Sequence, residues 1–224
     1  MPKSASNLPQ GLFFDLDGTL LDSLPGIAFS IEQSFKSCGL QMQPLNLLKT
    51  IGPPIATILS LAAPQATELE RDLLERIFRT SYDSEGWKKT LAFPGANAML
   101  KQAFALGIPL FVVSNKPRDV SIKILEREGI LQLFLEVVTR DSREPLYPTK
   151  AHMIEHLIHA FELNPSRCVM VGDTMEDAQA AASTQVSFTW VAHGYGELSP
   201  NQSIAYQIQS FSELLPMLTR EFTQ

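Results

Sequence analysis

Four short runs of apolar residues punctuate the chain: Gly11-Leu12-Phe13-Phe14, Pro109-Leu110-Phe111-Val112-Val113, Glu136-Val137-Val138 and Cys168-Val169-Met170-Val171. They are near-continuous in apolarity, which is the pattern of strands covered on both faces, as in a parallel sheet. Ser187-Phe188-Thr189-Trp190-Val191 is a fifth candidate. Segments with helical period lie between them, at 96–106, 118–128, 150–161 and 174–183. Gly107 and Gly129 follow two of these, where a helix C-terminus favours glycine. Strands alternating with helices across short turns predict an α/β fold built on a doubly wound parallel sheet. Such sheets bind ligands at the carboxyl ends of their strands.

The stretch from Asp22 to about Leu91 breaks this rhythm. It is long and helix-like and holds no strand run comparable to the others, with helical segments at 24–38, 45–49, 55–61 and 66–82 and an interruption at Gly52-Pro53-Pro54. The expected organisation is therefore a core of residues 1–21 and 91–224 with a helical cap domain, 22–90, inserted after the first strand. Phe93-Pro94-Gly95 marks the return to the core.

The first apolar run ends in Asp15-Leu16-Asp17-Gly18-Thr19. Residues two apart on a strand point the same way, so two carboxylates here crowd each other unless a cation lies near or a turn bends one away. Gly18 and Thr19 supply such a turn. The pattern suits a carboxylate nucleophile assisted by a metal, with a second carboxylate free to move protons. Other strand ends carry matching chemistry. Ser114 and Asn115 offer a hydroxyl and an amide to phosphate oxygens. Lys150, opening a helix after Pro148-Thr149, offers an ammonium that keeps a carboxylate ionised. Asp173 and Asp177, at the start of the next helix and one turn apart, complete a hard-oxygen set suited to Mg2+. His193-Gly194-Tyr195-Gly196 follows the fifth strand, either beside the mouth of such a site or as a plain glycine-rich turn. His152, His156 and His159 have the spacing of one exposed helix face.

Composition narrows the classes further. The chain has 224 residues, 45% hydrophobic and 19% charged, enough for a sizeable core, with no apolar run long enough to span a bilayer. A net charge of −6 argues against nucleic acid as the main partner. The start of the sequence lacks the apolar stretch of a signal peptide, so a cytoplasmic location is expected, without a membrane partner. Cys38 and Cys168 match no metal spacing and are expected as reduced thiols.

Taken in order, Asp15-x-Asp17-Gly18-Thr19, Ser114, Lys150 and the Asp173/Asp177 pair resemble the four motifs of the haloacid dehalogenase-like superfamily over nearly the whole chain. The resemblance implies a Rossmann-like core, Asp15 as nucleophile, Asp17 as acid and base, and Ser114 and Lys150 as the second and third catalytic elements. It also implies Mg2+ held by Asp15, Asp173 and the Asp17 carbonyl, with Asp177 fixing the outer shell. Many relatives carry Lys-Pro as the third motif, whereas here Lys150 follows the prolines, with Arg143 as the alternative cation. Asp17 excludes the dehalogenase branch. The insert resembles the cap of the phosphoglycolate phosphatase group, whose substrate loop falls on Gly52 and Pro53. Thr19, Asn115, Gly52 and Pro53 are thus the candidate substrate contacts. The implied activity is a phosphatase acting on a small phosphorylated metabolite such as phosphoglycolate, as a monomer or homodimer. The alternatives are a 5'-nucleotidase or pyrophosphatase of the same family, a phosphosugar mutase, or a non-catalytic module that binds phosphorylated ligands.

Overall fold

The structure, a computed structural model, describes residues 8–50, 54–197 and 204–222. Gly52 and Pro53 lie outside the described residues. The chain divides into two compact units, one made of the residues up to Leu20 and from Ala92 onward, the other of Leu21–Leu91.

In chain order the strands are β1 (Gly11–Phe14), β2 (Leu21–Asp22), β3 (Leu91–Ala92), β4 (Leu110–Ser114), β5 (Glu136–Thr139), β6 (Cys168–Gly172), β7 (Ser187–Val191) and β8 (Tyr206–Ile208). The helices are α1 (Leu24–Cys38), α2 (Leu47–Thr50), α3 (Ile55–Ala62), α4 (Glu68–Ser84), α5 (Ala96–Ala105), α6 (Arg118–Arg127), α7 (Lys150–Ala160), α8 (Met175–Ser183) and α9 (Leu214–Glu221). Among the described residues, none of these helices is long and apolar enough to cross a membrane.

The larger unit is a six-stranded sheet in the order β5-β4-β1-β6-β7-β8, with every neighbouring pair parallel. The α/β expectation holds, with a helical insert after the first strand. All four residues of β1 and all five of β4 and of β6 are buried, which is why their sequences show no alternation. One face is a cluster of Phe13, Phe111, Met170, Phe188 and Trp190 covered by Met153, Ile154 and Leu157 of α7 and by Ala178 and Ala181 of α8. Alternation along a strand turns Leu12, Phe14 and Val112 to the other face, all fully buried. There α5 packs on β4 and on α9. Gly107 and Gly129 adopt φ of 76° and 67°, left-handed values that end a helix without a Cβ penalty.

Besides the two-residue strands β2 and β3, strand β8 and helix α9 went unread in the sequence. Strand β8 is three residues at the sheet edge with an exposed Gln207 in its middle, too short and too polar to announce itself. Helix α9 contains Pro216, a helix breaker in most contexts. It sits in the first turn, where a missing N–H costs nothing, and Leu214, Leu215 and Leu218 are buried.

The smaller unit is helical. Helix α1 opens with proline in its first turn and ends at Gly39, and α4 opens with a capping box in which Thr67 and Glu70 satisfy each other's backbone N–H groups. The two helices pack together, and Ile27 and Ile31 of α1 and Leu74 and Phe78 of α4 are buried. Phe78 stacks on Tyr82 at 5.7 Å between ring centroids. Strands β2 and β3 pair as a two-stranded sheet.

Both cysteines are free. Burial pushes the Cys168 thiol up to about 12, against a smaller opposing effect of Arg167, so it packs as an inert apolar residue.

Phe111 is fully buried between the rings of Phe13 (5.4 Å) and Phe161 (4.9 Å). Phe111→Ala is expected to remove about 3–5 kcal/mol of stability by leaving a cavity in the core. Urea unfolding checks this, and a loss below about 1 kcal/mol would mean that the sheet collapses around the gap.

Candidate active site

The site follows from strand order. Chain connections run to opposite sides of β1, whose neighbours β4 and β6 come from different parts of the sequence, so a crevice opens at the carboxyl ends of these three strands. Phe14 pairs with Val112 on one side and Val171 on the other. Asp15 therefore stands one residue beyond that level, and Ser114 and Asp173 stand two beyond it. The Asp15 N–H donates to the Val171 carbonyl at 3.1 Å, which continues the ladder as far as the carboxylate.

Asp15, Asp173 and Asp177 each offer a carboxylate oxygen, all within 4.8 Å of one another, and all three residues are buried. Lys150, at the first turn of α7, reaches Asp15 Oδ1 at 2.9 Å and Asp177 Oδ1 at 2.6 Å. The other oxygen of Asp177 accepts from Thr174 N and Thr174 Oγ1 at 3.0 and 2.5 Å, within the capping box that starts α8. Asp173 Oδ1 accepts from Thr19 Oγ1 at 2.9 Å, and its Oδ2 accepts from the Tyr195 N–H at 2.8 Å.

Asp17 is arranged differently. Its side chain keeps 24% exposure and pairs with Lys116 Nζ at 2.9 and 3.2 Å. The two acids of the Asp-x-Asp run are thus separated by having a lysine each. Lys116 is buried and is the main site residue that the sequence reading missed, although it directly follows Ser114-Asn115. Its own N–H lies 3.3 Å from Ser114 Oγ. Asn115 donates from Nδ2 to Glu176 Oε2 at 2.8 Å.

Burial pushes the Asp15 carboxyl well above the ordinary range; Lys150 opposes this, and the Asp177 and Asp173 charges add to it. Asp173 is pushed up to about 6 by burial and by Asp177, against the hydrogen bonds from Tyr195 and Thr19. Desolvation lowers Lys150, but the carboxylates of Asp15 and Asp177 outweigh it and hold the ammonium above its usual value. When all three carboxylates are ionised, Lys150 balances only one of their charges among the described residues. A buried, hard-oxygen set with that deficit fits a small divalent cation such as Mg2+.

Arg143 does not join the cluster. Its guanidinium lies over the Tyr147 ring at 4.1 Å and lines a surface groove with His152, His156 and His159. Those histidines are exposed, as one helix face should be.

A parallel sheet with acids and a lysine at its switch point defines a class of phosphoryl-handling enzymes, and comparison with known proteins agrees. The haloacid dehalogenase-like hydrolase model matches residues 12–191, and the chain belongs to that family. It is similar to the phosphoglycolate phosphatase of Psychrobacter arcticus, 28% identical over 95% of this chain and 97% of that protein. It is 31% identical to the phosphoglycolate phosphatase of Nitrosospira multiformis, over 84% of this chain and 85% of that one. The crystal structure of a predicted phosphoglycolate phosphatase from Haemophilus somnus superposes with a TM-score of 0.85 at 28% identity, covering 96% and 99% of the two chains. The chain is a haloacid dehalogenase-like phosphatase.

Lys150→Met removes the one cation that, among the described residues, is bonded to Asp15 and Asp177. In chelator, unfolding should then cost about 3–5 kcal/mol less, because Asp15 and Asp177 stay buried without a counter-charge. Denaturant midpoints with and without the lysine measure this, and unchanged stability would mean that the cluster does not depend on it.

Proposed function

We propose that the chain hydrolyses a small phosphomonoester, with phosphoglycolate the first candidate, through a phosphorylated Asp15. The observation that carries this reading is the buried cluster of Asp15, Asp173, Asp177 and Lys150 at the switch point. A group meant only to stabilise the fold would not concentrate like charge there.

Asp15 attacks phosphorus, forming an aspartyl O–P bond as the ester O–P bond breaks. Asp17 gives its proton to the departing alkoxide. In the second half, Asp17 takes a proton from water, the water oxygen bonds to phosphorus, and the Asp15–phosphorus bond breaks to release phosphate. Asp17 is suited to the proton transfers because it is the exposed member of the pair, and Lys116 fixes where its carboxylate points. Ser114 and Asn115 bond the phosphoryl oxygens, and Lys150 balances their charge. Mg2+, held by Asp15, Asp173 and the Asp17 carbonyl with Asp177 ordering the outer shell, would neutralise phosphoryl charge when bound. Thr19 is engaged with Asp173, so its part is to orient that ligand rather than to touch substrate. On this reading the Leu21–Leu91 insert is the cap that selects substrate, and Gly52 and Pro53 are the candidate selecting residues. The similarity to phosphoglycolate phosphatases over most of the chain supports this substrate class.

Phosphate release is measured from a panel of phosphomonoesters, nucleoside monophosphates and pyrophosphate, with Mg2+ and with excess chelator. The expected result is Mg2+-dependent release, highest for phosphoglycolate. Asp15→Asn should abolish turnover while keeping the fold. Asp17→Asn should lower kcat by about 10²–10⁴-fold, the usual worth of a positioned acid and base. Release that survives Asp15→Asn refutes the nucleophile. Turnover that requires a sugar bisphosphate points to the mutase instead.

A further inference from the structure

Asp173 is held from two sides by segments more than 170 residues apart in sequence. On one side, the fully buried Thr19 donates its hydroxyl to Oδ1 at 2.9 Å. On the other, the successive N–H groups of Tyr195 and Gly196 both donate to Oδ2, at 2.8 and 3.3 Å, a backbone nest of the kind that holds anions. This second segment is the turn after β7. It approaches so closely that a Cβ on Gly194 would lie 2.2 Å from Asp173 Cβ, and one on Gly196 would lie 1.9 Å from the Asp173 carbonyl oxygen. Only glycine fits at either position.

His193 ties the two sides together. Its Nε2 lies 3.1 Å from the Thr19 carbonyl oxygen, so that nitrogen carries the proton and donates. The imidazole is fixed between the rings of Phe93 and Phe211, at 4.5 and 5.1 Å. Its hydrogen bond sets the backbone of the residue whose hydroxyl orients Asp173.

A carboxylate offers about four acceptor sites. Two donors occupy Oδ2 and one occupies Oδ1, which leaves a site on Oδ1. We infer that the His193–Gly196 turn is a positioning element for the metal centre, in which His193, through Thr19, holds the Asp173 carboxylate so that Oδ1 faces the cation. This rests on the reading of Asp173 as a metal ligand. Outer partners of this kind typically change metal affinity 10–100-fold.

The test uses Mn2+, which shares the preference for hard oxygens and whose free signal is read directly by electron paramagnetic resonance. The full-length chain is titrated as wild type, His193→Phe, His193→Gln and Asp173→Asn, and thermal midpoints are recorded in chelator. His193→Phe keeps the ring stack and loses the donor; it should bind Mn2+ at least about tenfold more weakly, with a midpoint close to wild type. His193→Gln restores an N–H donor and should recover most of the affinity. Wild-type affinity in His193→Phe, or a fall in its chelator midpoint with affinity unchanged, overturns the inference by making His193 structural only. Equal loss in both variants overturns it too, since the donor would then not matter. If wild type binds no Mn2+, or Asp173→Asn binds as well as wild type, the metal reading itself fails.

Discussion

Burying like charges is the constraint on which the rest of the site depends. Asp15, Asp173 and Asp177 sit within one small volume, and their mutual repulsion and desolvation work against folding. The structure offsets this with specific donors. Lys150 bridges Asp15 and Asp177, the start of α8 caps Asp177, and Thr19 with two backbone N–H groups caps Asp173. Each donor comes from a different element, so the cluster forms only when the sheet and its helices are assembled. The remaining concentration of carboxylates is what makes the place receptive to a cation.

The same constraint explains why the acids stand at the ends of β1 and β6. Within the sheet, β1 and its neighbours are lined by buried apolar side chains such as Phe13, Phe111 and Met170, so a carboxylate there would lack the donors it needs. One residue past the last pair, turns and helix starts turn their N–H groups toward the crevice. The Asp-x-Asp spacing is resolved by the same geometry: Asp15 stays at the buried strand end with Lys150, while Asp17 turns to Lys116 and keeps some exposure to water. That division suits the roles proposed for them, a nucleophile gaining from a dry, fixed setting and a proton carrier from access to solvent.

Much of this was legible along the chain. The five core strands show as apolar runs because burial on both faces leaves a composition signal, and the helices between them show as periodicity. The acids, the serine and Lys150 were legible because each stands directly after a strand or at the start of a helix, where the sequence changes character. Lys116 was not, since a lysine after a strand reads as a solvated loop residue until its burial against Asp17 is seen. The role of Tyr195 and Gly196 was also hidden, because they act through backbone N–H groups that carry no side-chain signature.

The sequence by itself determined the parallel α/β core, the helical insert and which acids, hydroxyls and amines stand at strand ends and helix starts, since these follow from local pattern and residue chemistry. Tertiary structure alone decided which lysine serves which acid, that Arg143 stacks on Tyr147 away from the cluster, and that the turn after β7 closes over Asp173. The physical reason is range. Hydrophobic period and capping act over a few residues and are written in neighbouring positions, whereas hydrogen bonds and charge pairing act across space and join residues that only the strand order β5-β4-β1-β6-β7-β8 brings together.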